Sequence, residues 1–145
     1  MISIYTDGAC SLNPGIGGWG AVIIKSNNEI IKINGGSDYT TNNKMELTAT
    51  IEALKYFKEK QNLTIYTDST YVRNGITLWI HNWKINNWKT ANKKPVKNVA
   101  LWTNLEKEIQ RHKITWKWIK GHAGNIYNEQ ADELARKYIE DKAGR

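Results

Sequence analysis

The chain has 145 residues, 40% hydrophobic and 24% charged, with two Pro and eleven Gly, an ordinary folded composition that excludes a disordered, collagenous or low-complexity chain. Its apolar runs are a few residues long, far short of the roughly 20 needed to span a bilayer, and its first residues lack the basic start and apolar stretch of a secretory signal. With one cysteine, Cys10, and three scattered histidines, neither an internal disulfide nor a four-ligand zinc site can form, so any metal must rest on oxygen. A single cytoplasmic domain over 1–145 is expected.

The formal net charge of +7 is unevenly placed. Residues 1–70 carry six Lys and seven acids, whereas residues 71–145 carry fifteen basic and seven acidic residues. Between 74 and 105 there is no acid, yet Lys84, Lys89, Lys93, Lys94 and Lys97 fall there among Trp79, Trp83, Trp88 and Trp102. Lysines neutralise phosphates while aromatic faces meet sugars or bases, so this stretch suits nucleic acid. A solvated basic face over core tryptophans reads the same pattern equally well.

In chain order, Ile2 and Ile4 alternate as a strand that stops at Asp7-Gly8. A glycine-rich segment through Gly20 is expected to turn. The runs 19–25 and 29–35 flank Ser26-Asn27-Asn28 as an antiparallel hairpin. The period then becomes helical from Asn43 to about residue 60 through Leu47, Ile51 and Leu54, with Asn43 and Glu46 spaced as an N-cap box. A short strand over 63–68 ends at Asp68-Ser69, a helix weakened by Gly75 follows through Tyr71, Val72 and Ile76, and further helices cover 78–86 and 99–112. Ile114, Trp116 and Trp118 alternate in a fifth strand, and Ala131, Leu134, Ala135 and Tyr138 mark a C-terminal helix. This order predicts an α/β fold: a five-stranded mixed sheet, antiparallel at its start and parallel where helices intervene, with helices on both faces.

Ile4-Tyr5-Thr6-Asp7 recurs as Ile65-Tyr66-Thr67-Asp68. If the two lie side by side in parallel, both aspartates emerge at the sheet edge where open α/β sheets bind ligands. Asp7, Glu46, Asp68 and Asp132 each have a local alternative: a turn, a capping box, a helix cap, and an i, i+4 pair with Arg136. As a set, clustered carboxylates without Cys or His suit Mg2+ or Mn2+, and two such ions can drive phosphodiester hydrolysis. No P-loop, His-Glu-x-x-His or Gly-x-Ser-x-Gly motif offers a competing chemistry.

Several motifs in one order carry a family resemblance: Tyr-Thr-Asp-Gly-Ala-Cys, Asn-Pro-Gly, Thr-Thr-Asn-Asn-Lys-Met-Glu-Leu, Thr-Asp-Ser, Gly-Ile-Thr-Leu-Trp-Ile-His-Asn-Trp, Trp-Ile-Lys-Gly-His-Ala-Gly and Asp-Glu-Leu-Ala. Over nearly its full length the chain resembles bacterial type 1 ribonuclease H. The resemblance implies a ribonuclease H-like fold and Mg2+-dependent hydrolysis of the RNA strand of RNA–DNA hybrids by a monomer, leaving 5′-phosphate and 3′-hydroxyl ends. It assigns the metal to Asp7, Glu46, Asp68 and Asp132, with Mn2+ as a substitute, and proton transfer or product release to His122. Cys10, Asn13, Asn42 and Asn43 would contact RNA, Thr41 and Asn82 would seat a DNA phosphate, and Trp79 would meet a deoxyribose. Residues 80–97, including Trp83, Lys84, Lys89, Lys93, Lys94 and Lys97, would form a basic handle. Thr70 and Tyr39 depart from better-known members, where Gln and a basic residue are common. Alternatives are a hybrid- or duplex-binding module without catalysis, and another metal-dependent nuclease of the same fold.

Overall fold

Strand β1 (Ile2–Cys10) pairs antiparallel with β2 (Gly15–Ile24), which pairs antiparallel with β3 (Ile30–Thr40), in a computed structural model that describes residues 1–120 and 124–144. On its other side β1 pairs in parallel with β4 (Asn62–Thr67), and β4 in parallel with β5 (Lys113–Trp118), giving the order β3-β2-β1-β4-β5. The expected mixed sheet is therefore present. Helices α1 (Asn42–Lys55) and α4 (Val99–Arg111) pack together on one face, and α5 (Ile126–Ala143) covers the other across β1, β2 and β3.

Alternation along the strands sorts the core. Ile2, Ile4, Ala21, Ile23 and Ile65 join Leu47, Ile51, Leu54, Trp102 and Leu105 on the α1/α4 face, while Tyr5, Val22 and Ala131 form the smaller layer beneath α5. Period-two strands thus bury both faces.

Three sequence expectations need correction. The glycine-rich segment is strand, not turn: Gly17, Gly18 and Gly20 pair with Cys10, Ala9 and Asp7, and β1 runs past Asp7 to Cys10. Its glycines are there for close approach, because a Cβ on Gly18 or Gly20 would collide with the carbonyl oxygen of Ala135 or Ala131 in α5. The first helix starts at Asn42 and stops at Lys55, short of residue 60. Thr41, not Asn43, is its N-cap, its Oγ1 accepting from Lys44 N at 3.2 Å.

The segment that leaves α1 is held by tertiary contacts. The Arg111 guanidinium donates to the Phe57 carbonyl at 2.7 Å and the Lys58 carbonyl at 3.1 Å, while His112 Nε2 lies 3.1 Å from the Leu54 carbonyl. Leu54 belongs to the last turn of α1, and Phe57 and Lys58 to the segment that leaves it, so these groups hold the chain as it departs from the helix. Gln61 N donates to His112 Nδ1 at 3.1 Å, and burial holds that imidazole below its ordinary pKa. His112 is thus bonded to backbone through both ring nitrogens.

The third correction joins two expected helices. Helix α2 (Thr70–Asn74) passes through a π-helical turn, Gly75–Trp79, directly into α3 (Ile80–Ile85). Gly75 permits this because a Cβ there would collide with the Trp102 indole. Trp102 itself is 0% exposed, so it belongs to the core and not to a nucleic-acid surface. Its Nε1 donates to the Tyr71 hydroxyl at 3.0 Å.

Candidate active site

The repeated tetrapeptide is in register: Ile4 pairs with Ile65, Tyr5 with Tyr66 and Thr6 with Thr67. Asp7, inside β1, and Asp68, just past the carboxyl end of β4, therefore follow side by side. Ser69 caps α2, its Oγ accepting from Val72 N at 3.0 Å, so Asp68 is not spent as a helix cap.

Glu46 reaches the same edge because α1 crosses β1 closely at Gly8, where a Cβ would stand 2.5 Å from the Glu46 backbone nitrogen. Asp132 arrives from the opposite face. Gly20 is the register partner of Asp7 and abuts the Ala131 carbonyl, which brings the neighbouring residue of α5 over β1. Two strands and two helices thus supply one carboxylate each.

The electrostatics record the convergence. Asp7 is 8% exposed, and burial, followed by the charges of Asp68 and Asp132, pushes its pKa up to about 8. Burial and then Asp68 push Glu46 up to about 7. Gly8 N donates to Asp7 Oδ1 at 2.9 Å, an opposing contribution. Glu46 Oε2 is buried and has no hydrogen-bond partner, a costly condition for a carboxylate oxygen. The expected capping box is not what occupies this side chain.

Asp132 Oδ2 accepts from Arg136 Nε at 2.8 Å, so the i, i+4 pair exists beside its place in the cluster. The donor set suits a hard divalent cation: it is all oxygen, crowded, and includes a buried acceptor without a donor. Among the described residues, no three Asp, Glu, His or Cys side chains are gathered in a ligand arrangement. His122 lies outside the described residues.

The expected nucleic-acid residues divide into two groups. Around the N-terminus of α1, Asn13 Oδ1 accepts from Asn42 N at 3.0 Å, and the Cys10 thiol lies 3.3 Å from the Thr40 carbonyl. Together with the Thr41 cap, these contacts set Cys10, Asn13, Thr41, Asn42 and Asn43 beside the segment that carries Glu46. On the other side, Trp79, Trp83 and Trp88 form an aromatic series with successive centroids 5.6 and 6.3 Å apart. Trp83 also rests edge-on against Trp102 at 5.3 Å.

Trp79, Trp83, Tyr71, Val96 and Lys97 line a cleft of about 340 Å3. Asn82 is exposed on α3, and Lys89, Lys93, Lys94 and Lys97 are exposed on the irregular segment beyond it, which Lys89 and Pro95 bridge. Lys84 differs, since its Nζ is paired with Glu106 at 2.9 Å. Sequence pattern did not mark Gly8, Gly18 and Gly20 as positioning residues. The available sign was two glycines at i, i+2 in a β-rich run facing small residues at i, i+4 of a helix.

The fold and site define an α/β protein with an acidic centre at its sheet edge and a basic flank. The RNase H family model matches residues 1–140, and the chain belongs to the RNase H family, a family of nucleases, alongside its bacterial type 1 members. It is 58% identical to a Ribonuclease H of Bartonella bacilliformis over 96% of this chain and 89% of the relative. It is 55% identical to one of Hyphomonas neptunium over all of this chain and 96% of that one. Among solved structures, it resembles LC9-RNase H1, described as a type 1 RNase H with the type 2 active-site motif, at TM-score 0.82 and 29% identity, covering 94% of this chain and 70% of that one. LC11-RNase H1, solved in complex with an RNA/DNA hybrid, shares the fold at TM-score 0.74 and 23% identity over the full length of both chains. No helix among the described residues is long and apolar enough to cross a membrane.

Proposed function

We propose that this chain is an endonuclease that hydrolyses the RNA strand of RNA–DNA hybrids and leaves 5′-phosphate and 3′-hydroxyl ends, acting as a monomer in the cytoplasm. The observation that carries the metal assignment is the unpartnered, buried Oε2 of Glu46, which with Asp7 feels the charge of Asp68. Asp7, Glu46, Asp68 and Asp132 would hold two Mg2+ ions, with Mn2+ as a substitute. When bound, such ions supply water activation on one side of the phosphodiester and stabilisation of the leaving oxygen on the other.

The remaining work falls to side chains. Arg136 orients the Asp132 carboxylate through its 2.8 Å bond. Cys10, Asn13, Asn42 and Asn43 contact the RNA strand near the cut, and His122 moves protons or assists product release. Thr41 and Asn82 seat a DNA phosphate, Trp79 meets a deoxyribose, and Trp83 with the handle lysines holds the duplex by its backbone charge. Such contacts read the shape of the hybrid, not its sequence.

The test follows labelled RNA–DNA hybrid, RNA duplex, DNA duplex and single-stranded RNA on a gel with Mg2+ or with EDTA. Cleavage confined to the RNA of the hybrid and abolished by EDTA is expected. Cutting of duplex DNA, or binding without cleavage in Mg2+, would overturn the assignment.

A further inference from the structure

A second cleft, of about 230 Å3, opens at the carboxyl ends of β4 and β5. It is walled by Asp68, Thr70 and Arg73 on one side and by Trp118, Ile119 and Lys120 on the other. The β4/β5 ladder closes its floor, Ile119 N donating to the Thr67 carbonyl at 3.0 Å. Two of its hydroxyls are committed to backbone: Thr67 Oγ1 accepts from Ser69 N at 3.1 Å, and Ser69 Oγ accepts from Val72 N at 3.0 Å.

Arg73 and Lys120 are not committed. Both are exposed, and among the described residues neither head group makes an ion pair or a hydrogen bond, nor does the Thr70 hydroxyl. Elsewhere cations are neutralised where acids are near: Lys84 by Glu106, Arg111 by Glu108 and Arg136 by Asp132. Here two cations share one cleft with Asp68, a carboxylate of the reaction centre. An anion seated between them would therefore stand immediately beside the reacting phosphodiester. The planar fork of Arg73 suits two phosphate oxygens at once, and Lys120 adds a point charge.

We propose that this cleft is a binding subsite for the RNA-strand phosphate that flanks the scissile one, held by Arg73 and Lys120 with the Thr70 hydroxyl as a neutral donor. Its wall includes Asp68 of the reaction centre and none of the Trp79-cleft or handle residues, so it fixes the cleaved strand and not the bulk of the duplex. The proposal rests on the hybrid-cleaving reading of the site.

The test compares wild type with Arg73→Ala, Lys120→Ala and Arg73→Lys on a hybrid whose RNA strand is 2′-O-methylated except for a short window that fixes the cut. Each alanine variant is expected to raise KM about five- to tenfold with kcat retained, and to lower the salt slope of binding by about 1. Arg73→Lys should recover part of the loss. A single uncharged methylphosphonate linkage is then moved through the positions on either side of the cut. In wild type one position should show a matching loss, and in a variant that combines Arg73→Ala with Lys120→Ala that loss should disappear. Cleavage by all variants with unchanged KM, or equal sensitivity to the uncharged linkage in variant and wild type, would overturn the subsite alone. A wild-type protein that cuts no hybrid would overturn the function and the subsite with it.

Discussion

Tyr5 and Tyr66 stack face to face across β1 and β4, their ring centroids 4.4 Å apart and their planes 7° from parallel. They are the paired middle residues of the repeated tetrapeptide, and Tyr127 of α5 leans on Tyr5 at 5.3 Å. The stack fixes the register of the two strands two residues before their aspartates. A one-residue slip would turn a tyrosine to the wrong face and separate Asp7 from Asp68.

Asp68→Asn and Asp7→Asn should each abolish cleavage in Mg2+ while hybrid binding survives, since one ligand is lost and a repulsion is relieved. Relief should raise metal-free stability by about 1 kcal/mol, or roughly 3 °C in Tm for a domain of this size. Near-normal turnover of either variant would remove that residue from the metal assignment. A lower Tm would contradict the repulsion.

Metal-free stability should decline with rising pH between about 6.5 and 8. Asp7, with a folded pKa of about 8, and Glu46, at about 7, both lie above the roughly 4 of an unfolded carboxyl. The folded chain therefore binds more protons there, and stability falls as pH rises toward the folded values. His112 acts in the opposite sense, because its folded pKa is lowered and stability is lost as pH falls below the unfolded value near 6.5. Melting curves from pH 5 to 9 in EDTA and in Mg2+ check this, with Mg2+ expected to raise Tm most at the alkaline end. A flat EDTA profile between pH 6.5 and 8 would refute it.

Gly20→Ala should destabilise the fold by about 3 kcal/mol, or roughly 10 °C, because the new methyl meets the Ala131 backbone and not a flexible side chain. Activity should fall in the fraction that remains folded, as α5 carries Asp132. Thermal unfolding with unchanged Tm would show that helix and strand are less tightly apposed.

Replacing Lys89, Lys93, Lys94 and Lys97 together with Ala should flatten the salt dependence of hybrid binding by roughly 2 to 4 in slope. Lys84→Ala should flatten it less, since that ammonium already pairs with Glu106 at 2.9 Å. Fluorescence anisotropy across a salt series measures both, and an unchanged slope in the fourfold variant would return these lysines to a solvated face.

The sequence by itself determined what depends on nearest neighbours and on period. Strand alternation at Ile2 and Ile4, helical spacing at Leu47, Ile51 and Leu54, the repeated Tyr-Thr-Asp and the acid-free lysine stretch were all legible, and they carried the sheet class and the four acids. Tertiary structure decided what depends on residues far apart in the chain. Gly18 and Gly20 are strand because α5 lies on them, the chain leaving α1 is held by Arg111, which donates to the Phe57 carbonyl, and by His112 beside the Leu54 carbonyl, and Trp102 is core because Gly75 leaves it room. The buried, unpartnered oxygen of Glu46 belongs to this second kind. A spacing of three from Asn43 is local and suggests a cap, whereas its place among carboxylates exists only once two helices close on opposite faces of one sheet.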